Sequence, residues 1–356
     1  IDLQNSPFYI GGNNWEGTAA DLNKGHDMWI WGIEFMSSTS PHGDSTPCGG
    51  STGNHCSWTA LYSFVDIRAP RTKLINSVVR DLSTGVQSWR FAYEVDVYGT
   101  LIFHNGWAGP DRGHGHGFYI ENLRDQQYRA KEMEDNIVFE NASNNIQAYA
   151  GGAQVANMKF LGNTLFNAGY LVGASDYNFL VGSGSGPKQD FYIKDNMTYS
   201  TNDDSMTSFG WNWDYVNNNA IVDRNYLVGG TIASGMFNWY QGVFTNNTVY
   251  TQKGTMTQLN NFIDAGINQK AGDYVWNNNS YYGNNAFRIT YNTNADRNYN
   301  GAVHGDSRDF AFWKNATGFD ANSTYSAQAP KGTQSFVRPN KYEPGRANIT
   351  VYNWDL

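Results

Sequence analysis

The densest run of reactive side chains is Asp111-Arg112-Gly113-His114-Gly115-His116-Gly117, followed at once by Phe118-Tyr119-Ile120-Glu121. Two imidazoles set between glycines suit proton transfer near neutral pH, because a neutral imidazole accepts a proton in that range. The glycines let the backbone fold tightly around them. Side chains alternate along a strand, so Phe118 and Ile120 point inward while Tyr119 and Glu121 point outward. With His114 or His116 as base, Tyr119 as proton donor and Arg112 or Arg90 neutralising a uronate carboxylate, this set would perform β-elimination. Its steps are loss of the C5 proton and expulsion of the 4-O-linked glycan. Two other roles stand beside this one. Both imidazoles would cap a tight turn equally well, and a His-x-His metal site would need a further ligand. No metal or cofactor is required by the sequence, and a Ca²⁺ dependence stays open.

Such side chains need a scaffold, and the composition argues against a helical one. The chain holds 38 Gly and 9 Pro in 356 residues, with 15% aromatic and 16% charged residues. Typical domains carry about 25% charged residues, and long amphipathic helices need the Glu, Lys, Leu and Ala that are scarce here. Asn, Tyr, Gly, Val, Thr and Trp favour strands and tight turns instead. With 24 basic against 32 acidic residues the net charge is −8, which disfavours nucleic acid as a partner. No apolar run is long enough to span a membrane. The chain opens on Ile1-Asp2-Leu3 without a leader pattern, and a secreted protein whose signal peptide has been removed is expected. Cys48 and Cys56, separated by seven residues of a Gly-rich loop, are expected to pair as a local disulfide; a Cys/His clip with His55 is the alternative. Asn-x-Ser/Thr sequons at Asn315, Asn322 and Asn348 fit an extracellular setting.

A short apolar run, then Asn, then another short apolar run recurs along the chain. The asparagines are Asn76, Asn105, Asn141, Asn163, Asn196, Asn225, Asn247 and Asn279, with spacings of 29, 36, 22, 33, 29, 22 and 32. Periods in this range indicate a solenoid, with the excess over 22 placed in loops. Each unit offers strands rather than helices, so stacked coils would form long parallel sheets around one core. An Asn at the same corner of each coil would bond to its neighbours above and below.

The pattern resembles the pectate-lyase-like superfamily of right-handed parallel β-helices, over roughly residues 20–295. The expectation is an all-β, single-stranded solenoid at 1–299 with an irregular tail at 300–356 packed on it. In that superfamily the Asn ladder lies between the second and third strands, which implies first strands near 86–91, 116–122, 145–151, 170–175, 210–215, 235–240, 261–266 and 286–291. It also implies a groove along the first sheet. Outward residues there would be Arg90, Gln147, Tyr149, Asn212, Asp214, Asn238, Asp264 and Arg288, a set suited to sugar hydroxyls and rings. The stretch from Phe103 to Gly117 is similar to a segment of secreted β-helix repeat proteins, a likeness that carries no defined activity. Gly-His-Gly also occurs in polygalacturonases of the superfamily. Here Asn202-Asp203-Asp204 follows it instead of preceding it, and no Arg-Ile-Lys follows, the nearest string being Arg288-Ile289-Thr290, so that site is not carried over.

The expected function is a secreted polysaccharide-degrading enzyme, first a lyase of uronate-containing glycans. A hydrolase using carboxylates among Glu121, Asp214, Asp264, Asp203 and Asp204 is the alternative, and a C5-epimerase shares the lyase's first step. A non-catalytic glycan-binding module or adhesin is the reading from another class. Few basic residues count against the lyase; the His-rich turn beside Tyr119 counts against the adhesin. Trp211-Asn212-Trp213 and Asn238-Trp239-Tyr240 are assigned mainly to the core.

Overall fold

The computed structural model describes residues 1–4, 6–11, 26–39, 42, 62–109, 112–122, 128–149, 155–173, 176–182, 189–201, 206–210, 217–237, 239–262, 274–292 and 304–356. Most of its strands fall into three long sheets that the chain visits in turn. Phe118–Ile120 lies in the first sheet, Lys131–Glu134 in the second, Ile137–Phe139 in the third, and Ile146–Ala148 begins the next coil. Each strand pairs in parallel with its counterparts one coil before and after. This is a parallel β-helix. Among the described residues no helix is long and apolar enough to cross a membrane.

The strands form because apolar and polar residues alternate at the two-residue period of the pleat. Ala156–Leu161 shows it over six residues, with Ala156, Met158 and Phe160 inside and their neighbours half-exposed. Stacking then lines up the inward residues. Ile102, Val138 and Leu165 occupy one level of the third sheet, and Val97, Met133 and Phe160 one level of the second. All belong to one continuous apolar core.

Corner chemistry fixes the stack. Between the second and third sheets a residue with positive φ precedes the ladder position: Asp135 (54°), Asp195 (57°), Asn246 (57°) and Asn278 (59°) are examples. Asp and Asn tolerate this left-handed conformation better than most residues. The next residue is the ladder asparagine. Asn136, Asn163, Asn196, Asn225, Asn247 and Asn279 each donate from Nδ2 to the Oδ1 of the next, at 2.9–3.2 Å. Asn279 donates to Asp320 at 3.0 Å.

The expected single ladder is in fact two. Asn163, Asn196, Asn225, Asn247 and Asn279 belong to the first, which also includes Asn136. Asn105 and Asn141 belong to a second ladder between the third and first sheets, running Asn105, Asn141, Asn145, Asn178 at 2.8–2.9 Å. Asn76 belongs to neither and bonds Asn340 and Glu343 in the C-terminal segment.

Residues after 303 cover one end and one flank of the solenoid. The helix Phe310–Thr317 buries Trp313, and Phe319 stacks on Trp276 at 5.7 Å. Asp320, fully buried, accepts from Asn279, Trp313 and Tyr281, which closes the ladder. The hairpin of Thr333–Pro339 and Ala347–Asn353 then lies back along the coils. Arg338 bonds Asp135 at 2.7 Å, and the Tyr352 hydroxyl donates to the Thr198 carbonyl at 2.9 Å.

Candidate functional site

The outward row of the first sheet reads, coil by coil, Tyr9, Asp66, Gln87, Tyr119, Gln147, Leu180, Ser208, Gly235, Gln258 and Arg288. Asp66 and Gln87 on one side and Leu180, Ser208, Gly235 and Gln258 on the other are buried. Between them Tyr119 and Gln147 are half-exposed, so the row opens there. Rings surround the opening. Tyr119 lies 5.6 Å from Trp89, 5.5 Å from His116 and 6.4 Å from Tyr149, centre to centre.

The His-rich turn forms one wall through a short antiparallel pairing, Trp107 with His114 and Ala108 with Gly113. Its glycines are required by contact with neighbouring coils. Gly115 has φ of +91°, and a Cβ there would sit 2.2 Å from the Ser83 carbonyl oxygen; one on Gly113 would sit 1.8 Å from that of Ala142. The turn is therefore clamped between coils, with the second Asn ladder holding the corners beneath it. His114 is buried and stacks on Trp107 at 5.1 Å with 12° between planes. His116 faces Tyr119, and its Nδ1 is buried with no hydrogen-bond partner among the described residues. Burial first, then the nearby Arg112 and His114 charges, push the His116 imidazole down to about 3, so it is neutral at ordinary pH. Burial, with Glu121 and Tyr149 beside it, raises the Tyr119 phenol far above its usual range and keeps its proton on.

Charges lie behind this surface. Lys131 is fully buried, and its Nζ donates to Glu121 O at 2.7 Å, Ser88 Oγ at 2.8 Å and Trp89 O at 3.0 Å. Burial pushes the ammonium down to about 7, against the pull of Glu121 and Asp66. Asp66 is buried against Arg68 at 2.6 Å; burial raises its carboxyl, and the Arg68 charge opposes that rise. Asp176, on the coil beyond Ser143, is pushed up to about 6 by burial, with Ser143 and Arg112 acting the other way.

The structure brings His114, His116, Tyr119, Glu121, Gln147 and Tyr149 into one neighbourhood, with the exposed Arg112 on the turn. Gln147 accepts from Asn144. Arg90 is half-buried one coil earlier, its guanidinium 5.8 Å from the Phe91 ring. Arg288 shares the row of Tyr119 but lies six strands further on, about 29 Å at ~4.8 Å per strand. The expected register is corrected further along the first sheet, where strands are expected at 210–215, 235–240 and 261–266. The strands there are Met206–Phe209, Ile232–Phe237 and Thr257–Phe262, which place Ser208, Gly235 and Gln258 in the row. Likewise Tyr177–Val181 replaces the strand expected at 170–175, where a short 3-10 turn stands. The corners between ladder and first sheet differ in length from coil to coil, so one fixed offset slips. Asn212, Asp214, Asn238 and Asp264 themselves lie outside the described residues, as do Cys48, Cys56, Asp203, Asp204, Trp211 and Trp213. Trp239 is core, fully buried and bonded to Phe209 O at 2.8 Å.

Sequence reasoning missed Lys131 and Asp176. For Lys131 a signal existed: in Lys131-Glu132-Met133-Glu134 the alternation puts Lys131 on the same inward side as Met133. Asp176 carries no such signal. Among the described residues no group of three His, Cys, Asp or Glu is arranged to hold a metal ion.

Fold and site together define a parallel β-helix with an aromatic, ionisable opening on its first sheet. Comparison with protein-family models, curated proteins and solved structures finds no match.

Proposed function

We propose that this chain is a secreted polysaccharide-degrading enzyme of the pectate-lyase-like kind, cleaving a uronate-containing glycan by β-elimination at Tyr119. The observation that carries this reading is the opening of the first-sheet row at Tyr119 and Gln147, with a protonated phenol and a neutral imidazole whose rings are 5.5 Å apart. His116 accepts the C5 proton, and that bond's electrons form the C4–C5 double bond. The C4–O bond breaks, and the leaving oxygen takes the Tyr119 proton. Arg112 balances the uronate carboxylate. The low proton affinity of His116 belongs to the ligand-free state; a carboxylate bound beside it raises that affinity where the proton is transferred. Trp89 and Tyr149 provide flat apolar surface for sugar rings.

Incubation with a panel of polyuronates and neutral polysaccharides tests this, followed by ultraviolet absorbance of unsaturated ends and by reducing ends. Unsaturated ends from a polyuronate are expected. Absence of both signals overturns the reading. Reducing ends without absorbance would favour hydrolysis, for which the Asp176 carboxyl, pushed up to about 6, is the acid at hand.

A further inference from the structure

The second sheet begins with Trp29–Trp31, away from the Tyr119 row. Its two indoles face outward, 59% and 41% exposed, while Ile30 between them packs against the core. Residues two apart on a strand stand about 6.6 Å from each other on one face, so both indoles present aromatic surface on the same outward face.

That surface is held in place by the C-terminal hairpin. Tyr342 sets its ring edge-on to Trp29 at 6.2 Å and to Trp31 at 5.4 Å. Trp31 Nε1 donates to Glu343 Oε1 at 2.9 Å, and Lys73 Nζ lies 4.8 Å from the centre of the Trp29 ring. Rings fixed in this way lose little freedom when a ligand arrives. The rim is electrically balanced: Asp96 is shared by Lys73 at 3.3 Å and Arg129, which also lies 4.0 Å from Glu94, while Arg346 pairs with Glu343 at 3.0 Å and Lys341 with Glu134.

We propose that Trp29 and Trp31 form a second glycan-binding surface, for an uncharged sugar chain, distinct from the Tyr119 opening. A sugar ring offers an apolar C–H face to an indole and hydroxyls to the donors and acceptors of the rim. Cancelled charge around the platform gives a polyanion no net attraction. An apolar partner would have to desolvate these ion pairs without replacing their hydration. The proposal rests on the reading above only in taking a glycan as the ligand.

The test is retardation of the full chain in native gels cast with hydroxyethylcellulose, xylan or polygalacturonate, with Trp29→Ala, Trp31→Ala, Trp31→Phe and Tyr119→Phe run alongside. Retardation in a neutral gel is expected, weakened about fivefold or more by either alanine, largely kept by Trp31→Phe and unchanged by Tyr119→Phe. Passage of the wild-type chain through both neutral gels without retardation overturns it, as does equal retardation of the alanine variants. Binding here needs no turnover. A chain that is retarded but degrades nothing keeps this surface and ends the catalytic reading.

Discussion

Lys131 Nζ and the main-chain carbonyl of Glu121 meet at 2.7 Å, deep beneath the Tyr119 face. The same ammonium reaches the Trp89 carbonyl at 3.0 Å and Ser88 Oγ at 2.8 Å. One buried group on the second sheet thus ties together the corners of two coils that carry Trp89 and Glu121.

This has a pH signature. Lys131 loses its proton near 7 in the folded chain and near 10.5 when unfolded. Between those values the unfolded chain binds more protons, so this group makes stability rise with pH. Lys131→Met removes that rise. At about pH 9 the variant should be less stable by about 1–3 kcal/mol, because buried acceptors lose the donor hydrogens of the neutral amine, and the gap should narrow toward pH 6. Urea melts at several pH values check it; parallel curves for the two proteins would refute it.

The first Asn ladder should be costly to break anywhere along its length. Asn196 is fully buried, accepts from Asn163 N and Nδ2 at 2.9 Å each, and donates to Asn225 and to the Phe160 carbonyl. Asn196→Ala should cost about 3–5 kcal/mol, since several groups are orphaned together. Asn322→Ala, at an exposed position, should stay within about 0.5 kcal/mol. Equal losses in chemical denaturation would mean that the ladder does not hold the coils.

His116 contributes in the acid range. Its imidazole takes a proton near 6.5 when unfolded and near 3 when folded. Over that window the unfolded chain binds more protons, so stability falls as pH falls. His116→Gln should therefore lose less stability than the wild type between about pH 7 and pH 4. NMR should show one imidazole that does not titrate in that range. An His116 resonance titrating near 6.5 would contradict the placement.

Much of the architecture was legible because it repeats. Apolar alternation and recurring asparagines state the coil many times over, so errors in single coils do not obscure it. The exact corner is different. Asn141 and Asn163 look alike in sequence, yet one turns the chain from the third sheet to the first and the other from the second to the third. Only the strand lengths around them decide. The site was partly legible for the same reason. Tyr119 and Gln147 follow from alternation within their own strands, whereas the strands expected at 210–215, 235–240 and 261–266 depended on an offset carried across corners of unequal length and stand instead at Met206–Phe209, Ile232–Phe237 and Thr257–Phe262. Lys131 went unseen because a buried lysine contradicts its type; its place is set by three acceptors brought from distant segments.

The most direct test of the account compares the wild-type chain with Tyr119→Phe on the polyuronate that yields most unsaturated product, with unfolding midpoints measured on the same samples. The half-exposed phenol lies on the outer face, so the midpoint should hold while product formation falls by about a hundredfold or more, as loss of a general acid implies. Undiminished product from a folded Tyr119→Phe chain would contradict the assignment of chemistry to this face.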